Sequence, residues 1–124
     1  MNSQGSHRDP IGFRHALRGM ALAWRRDRNL RIETLIGFLA LALAWALDVS
    51  LVPVLVCVVL VLSLELVNSA LERIVDLASP NEHPLARDAK DLAAGAVLMA
   101  SMGSLVVGLI YLGPPLWGLL QKGL

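Results

Sequence analysis

From Leu51 to Leu64 the chain reads Leu-Val-Pro-Val-Leu-Val-Cys-Val-Val-Leu-Val-Leu-Ser-Leu, without one charged residue. Glu65 follows at once, then Asn68 and Glu72. No other stretch restricts the fold as strongly. A run this apolar must be removed from water, either in a core or in lipid. The polar groups behind it recur at i, i+3 and i+7, which puts all three on one face of a helix. An ionisable group inside a membrane span, or just at its end, is costly and marks a functional site by default.

Composition decides between core and lipid. The 124 residues are 56% hydrophobic but only 5% aromatic, with a mean hydropathy of +0.61. A soluble domain of this length is less apolar. Leu, Val and Ala carry the hydrophobicity, as they do in lipid-facing helices. The net charge of +1 hides an asymmetry: Arg8, Arg14, Arg18, Arg25, Arg26, Arg28 and Arg31 all precede Ile32. By the positive-inside bias this puts the N-terminus in the cytoplasm. A basic nucleic-acid arm is the rival reading of these arginines, but such arms are seldom joined to a chain this hydrophobic, and no nucleic-acid partner is expected. No secretory signal is evident, because the first apolar span starts late and lacks a small-residue cleavage site. The one cysteine, Cys57, has no internal disulfide partner and reads as a small buried hydrophobe.

The chain reads as one integral-membrane domain over residues 1–124. Residues 1–10 are polar and expected to be flexible. In residues 11–29, Ile11, Phe13, Leu17, Met20, Ala21 and Trp24 recur near helical spacing against Arg14, Arg18 and Arg25. This predicts a basic amphipathic helix in the membrane interface. The first span is expected over residues 32–47. Its rise of about 24 Å falls short of a hydrocarbon core of about 30 Å, so Arg31 and Glu33 sit at the cytoplasmic boundary. Asp48-Val49-Ser50 makes the outer turn, with Ser50 as N-cap and Pro53 in the next first turn. A helix over residues 51–77 is about 40 Å long, and its surplus lies at the cytoplasmic end. Glu65 is about 21 Å from Leu51, within the inner leaflet, and Glu72 is about two turns nearer to water.

Residues 78–84 form a cytoplasmic loop, and Pro84 suits the start of a third membrane helix over residues 85–112. Ala96, Ala100, Ser104 and Gly108 give that helix a small-residue ridge for close packing, as Gly37, Ala40 and Ala44 do for the first span. Gly113-Pro114-Pro115 is expected to end it, with the tail outside. The fold class is therefore an all-α membrane protein, an N-terminal amphipathic interfacial helix followed by three transmembrane helices.

The polar features fall at one level. Asp27, Glu33, Glu65, Glu72, Asp76, Asp88 and Asp91 supply carboxylates there, and Arg31, Arg73, Arg87 and Lys90 supply cations. Hard oxygen ligands suit Mg²⁺, which binds through one or two carboxylates together with substrate phosphates. Lys90 is a candidate for phosphate charge. Glu65, deeper and poorly solvated, is a candidate general base. A base, metal carboxylates and a phosphate-binding cation are what phosphoryl transfer requires. Neither usual glycine-rich phosphate loop is present.

Blander readings stand beside these. Glu65, Asn68 and Glu72 could pair with Arg73, Lys90 or a neighbouring subunit. Asp76 suits a helix-end contact. Lys90 and Asp91 point about 100° apart and could be a solvated first turn. His83, before Pro84, could be a turn residue. Two other function classes are open: an oligomeric proton-coupled transporter using Glu65, and a structural or hole-forming membrane protein. Neither needs Lys90-Asp91 or carboxylates at several places on one level.

The motifs carry a resemblance. Glu65-Leu-Val-Asn68-Ser-Ala-Leu-Glu72, Val75-Asp76, His83, Ala89-Lys90-Asp91 and Ala93-Ala-Gly95-Ala-Val-Leu98 closely resemble the prokaryotic diacylglycerol kinase family, which includes undecaprenol kinases. Arg28-Asn29-Leu30-Arg31-Ile32-Glu33 looks like the family's segment before its first span. The similarity runs from about residue 8 to residue 112, and the lysine-aspartate pair with the glutamate-asparagine-glutamate motif is highly specific. It implies a homotrimer in the bacterial inner membrane that transfers the ATP γ-phosphate to a lipid alcohol with Mg²⁺. By position, Glu65 would be the general base and Asn68 would orient groups near it. Glu72 would hold metal, as would Asp27, where the family usually has Glu, one methylene longer. Lys90 and Asp91 would contact nucleotide, with Asn81, Glu82, His83 and Arg8. The lipid would lie along Glu65, Arg31, Glu33 and Trp24. The site would be shared between subunits. The Ala89–Leu98 run and Asn29–Ile32 look more like the undecaprenol kinase branch.

Overall fold

The computed structural model describes residues 12–123. Arg8, expected at the nucleotide, lies outside them. The described residues form four helices: α1 (Phe13–Arg26), α2 (Arg28–Ala46), α3 (Leu51–Ala78) and α4 (Pro84–Gly123). α2, α3 and α4 are each long and apolar enough to cross a membrane. The protein is a membrane protein built of helices, as the charge-free runs predict.

α3 is the centre. α2 and α4 both lie along it and scarcely touch each other. Small residues set the α2–α3 approach. Ala44 is 0% exposed, and a Cβ on Gly37 would come within 2.8 Å of Val58 Cγ1. The α4 ridge behaves differently. Ala96 is exposed, and nothing lies within 4 Å of where a Gly108 Cβ would be. Val97 is instead the buried residue of α4. The buried apolar set is thin (Ala23, Leu30, Ala44, Val54, Val61 and Val97), while Leu35, Phe38, Leu98, Met99 and Leu109 are exposed. Such a surface is stable against lipid or against other protein, not against water.

The expected continuous helix over residues 11–29 breaks at Asp27. Its backbone is extended (φ −100, ψ 105), so it ends α1 and precedes α2. Asp is a poor interior helix residue because its side chain competes for backbone groups. The end of α1 is closed from outside: Arg31 Nη1 donates to the carbonyls of Trp24 at 3.1 Å and Arg25 at 3.2 Å. Four carbonyls at a helix end have no internal partner, and Arg31 takes two of them. Because α2 begins at Arg28, it rises about 28 Å, close to a bilayer core.

The α2–α3 turn is a Schellman motif. The Val49 N–H donates to the Ala44 carbonyl at 2.9 Å and the Asp48 N–H to the Trp45 carbonyl at 3.2 Å. Asp48 takes the left-handed position, φ 55. Ser50 stands at the N-cap of α3 as expected, but its side chain makes no cap bond. α4 departs most from expectation. It continues through Pro114 and Pro115 to Gly123 rather than ending at Gly113. Each proline removes one backbone donor, a loss that membrane helices tolerate where local adjustment or neighbours satisfy the freed carbonyls.

Candidate active site on α3

Glu65 sits where the apolar run of α3 ends. It is 6% exposed. The carboxylates of Glu33, Asp27 and Glu72 lie near enough to act on its charge. Four carboxylates from α2, the α1–α2 junction and α3 therefore converge. The helix periodicity put Glu65 and Glu72 on one face; only folding brings Glu33 and Asp27 to it.

Asn68 joins the two glutamates' face. Its Nδ2 donates to Glu72 Oε1 at 3.1 Å, and its Oδ1 is buried without a partner. A buried unpartnered carbonyl oxygen is uncommon and costly. It lies beside a carboxylate, in a set of hard oxygen donors. Among the described residues no group of three or more His, Cys, Asp or Glu is arranged to hold a metal by itself. An Mg²⁺ ion bound through one or two carboxylates together with substrate phosphates requires no such group. The residues fit such an ion in that shared mode only.

Asp27 reaches the same face. Ser69 Oγ donates to Asp27 Oδ2 at 2.6 Å, and Arg73 Nη2 lies 3.9 Å from Asp27 Oδ1. Arg73 Nη1 donates to the Ser69 carbonyl at 3.1 Å.

Beyond Glu72, α3, the following loop and the start of α4 enclose a polar pocket of about 260 Å³. Asp76, Asn81, Glu82, His83, Arg87 and Lys90 line it. Lys90 Nζ forms an ion pair with Asp76 Oδ1. His83 caps α4: its Nδ1 accepts from the Leu85 N–H at 3.1 Å, and its carbonyl accepts from the Arg87 N–H at 3.1 Å. Asp91 is exposed and does not line the pocket, as the 100° separation from Lys90 requires.

An apolar groove of about 490 Å³ runs along α2, α3 and α4. Glu33 lines it, with Ile36, Gly37, Val58, Val61 and Leu109. Of the residues expected at a lipid, Glu33 borders this groove and Trp24 is exposed on α1. Arg31 is engaged in capping α1.

The sequence model of the prokaryotic diacylglycerol kinase family matches residues 14–112. The chain belongs to that family. It is 41% identical over 114 residues to a diacylglycerol kinase of Synechocystis, covering 89% of this chain and 65% of that protein. Against an undecaprenol kinase of Bacillus subtilis the identity is 36% over 107 residues, 84% of this chain and 87% of the other. Against a diacylglycerol kinase of Escherichia coli it is 32% over 101 residues, 79% and 83% of the two chains. The chain thus spans just under two thirds of the Synechocystis relative. The matched span includes every residue described above from Asp27 to Lys90. Of the residues that the structure brings here, Arg73, Asp76 and Arg87 were legible in the sequence as charges at this level, and only Ser69 was given no part. Ser69 had a signal, since four residues after Glu65 it falls about 40° away on the same face.

Proposed function

We propose that this chain is an ATP- and Mg²⁺-dependent lipid kinase that phosphorylates a membrane lipid alcohol at the cytoplasmic interface. The observation that carries the reading is Glu65, buried where the apolar run of α3 ends, with a polar pocket two to three turns further along the same helix. A lipid alcohol keeps its tail in the bilayer and offers its hydroxyl at the interface. A nucleotide comes from water. The family membership supports this activity, and its relatives include diacylglycerol and undecaprenol kinases.

In the proposed reaction Glu65 accepts the proton of the lipid hydroxyl. The hydroxyl oxygen forms a bond to the γ-phosphorus, the bond from that phosphorus to the β–γ bridging oxygen breaks, and ADP leaves. Asn68 orients Glu72 through its amide. Lys90 neutralises phosphate charge, and Asn81, Glu82 and His83 border the nucleotide, with Asp91 and Arg8 as further contacts. Glu72 and Asp27 would hold Mg²⁺ together with the phosphates, and the ion supplies charge neutralisation. Trp24, Arg31 and Glu33 flank the lipid. Positioning and electrostatic stabilisation supply most of the acceleration in phosphoryl transfer.

We further read the assembly as a homotrimer in the bacterial inner membrane, with the N-terminus cytoplasmic and α1 in the interface. The exposed apolar faces and the arginines before Ile32 support this. The test is the purified protein with labelled ATP, Mg²⁺ and either diacylglycerol or undecaprenol. Label is expected in one of the lipids; label in neither sinks the kinase reading. Glu65→Gln is expected to abolish transfer while the protein stays folded and assembled. Near-normal turnover in that variant would remove Glu65 as the base.

A further inference from the structure

Asp27 occupies the N-cap position of α2, yet its side chain makes no cap bond. Asp is among the strongest N-cap residues, and it ordinarily bonds the free N–H groups of the next turn. Here the carboxylate turns away from α2 and onto α3. It is also the single residue between α1 and α2, so whatever holds it also holds the junction.

Two residues hold it, one turn apart on α3. The Ser69 hydroxyl donates to Oδ2 at 2.6 Å, the short range of a charge-assisted O–H···O⁻ bond. Ser69 is 6% exposed, so water competes little for that bond. Arg73 is tethered by Nη1 to the Ser69 carbonyl. Its Nη2 is 3.9 Å from Oδ1, an ion-pair distance and too long for a hydrogen bond. Among the described residues no donor bonds Oδ1. One carboxylate oxygen is therefore anchored, and the other faces only a nearby positive charge.

We propose that Ser69 and Arg73 are positioning residues for Asp27: Ser69 anchors Oδ2, and Arg73 is a displaceable counter-charge that keeps Oδ1 available to a divalent cation arriving with phosphate. The inference rests on the reading of Asp27 as a metal ligand. It assigns the two residues opposite effects on a bare cation. Ser69 favours binding, because it fixes the ligand's geometry. Arg73 opposes it, because a guanidinium and a divalent ion repel across a few ångströms. Phosphate charge would offset that repulsion, so Arg73 would oppose a bare cation more than one held together with phosphate.

The test is Mn²⁺ binding, read by electron paramagnetic resonance, to the full-length protein in lipid nanodiscs without nucleotide. Ser69→Ala is expected to weaken binding about tenfold and Ser69→Thr to retain it. Arg73→Gln is expected to tighten binding about tenfold and Arg73→Lys to leave it near wild type. A merely structural role would shift Ser69→Ala and Arg73→Gln in the same direction. Asp27→Asn is the control. If it leaves Mn²⁺ binding at the wild-type level, the metal reading of Asp27 fails and the proposal goes with it. If Asp27→Asn weakens binding while Ser69→Ala and Arg73→Gln shift together or not at all, the proposal alone is overturned. Arg73 is half-exposed, so its two variants decide the matter even if Ser69→Ala does not fold.

Discussion

Asn68 Nδ2 donates to Glu72 Oε1 at 3.1 Å, while the Oδ1 of the same amide is buried without a partner. One side chain thus orients a carboxylate and offers a second hard oxygen beside it. Asn68→Asp removes the amide donor and puts a further negative charge among Glu65, Glu72, Asp27 and Glu33. The expected outcome is a kcat lower by about tenfold or more, with KM for ATP changed less, since the lost interaction acts near the reacting groups. Glu72→Ala should raise the Mg²⁺ requirement or abolish activity. Steady-state assays across a Mg²⁺ titration measure both, and an unchanged titration for Glu72→Ala counts against its metal role.

Lys90 and Asp76 join the start of α4 to the end of α3 beside the polar pocket. Lys90 is well exposed to water, so the pair contributes little to stability. Its expected importance is at the nucleotide. Lys90→Gln should raise KM for ATP about tenfold or more, as loss of a charge-assisted phosphate contact does, with the melting temperature unchanged. Kinetics and thermal unfolding of the same preparation check this. An unaltered KM would return Lys90 to the role of a surface ion pair.

Gly37 faces Val58 with no room for a side chain, because a Cβ there would lie 2.8 Å from Val58 Cγ1. Gly37→Leu must push α2 off α3 or displace Val58. The expected cost is about 1–3 kcal/mol, the usual range for overpacking. Denaturant unfolding in detergent measures it. Gly108→Leu is the comparison, since its Cβ position is open within the chain. Loss of oligomer in Gly108→Leu with an intact monomer fold would identify α4 as an intersubunit face.

Asp48 holds a left-handed backbone at φ 55 to complete the Schellman motif after α2. Non-glycine residues reach that region at a cost, and Asp less than most. Asp48→Gly should stabilise the protein by about 0.5–1 kcal/mol, and Asp48→Val should destabilise it. Thermal unfolding distinguishes the two signs.

The three membrane helices, their order and the face bearing Glu65, Asn68 and Glu72 were legible in the sequence. Apolar runs and a 3.6-residue period are local properties, and a chain this rich in Leu, Val and Ala has few other ways to leave water. The turns at Asp48 and Pro84 were legible for the same reason. Two local expectations failed where proline and aspartate were weighed in isolation. Pro114-Pro115 does not stop α4, and Asp27 does break the first helix. What tertiary structure alone decided is which distant groups meet Glu65. The approach of Glu33 and Asp27, and the grip of Ser69 and Arg73 on Asp27, depend on how α2 leans on α3. That lean is set by close packing at Gly37 and Ala44, a three-dimensional fit between surfaces that no periodicity along one strand of sequence records.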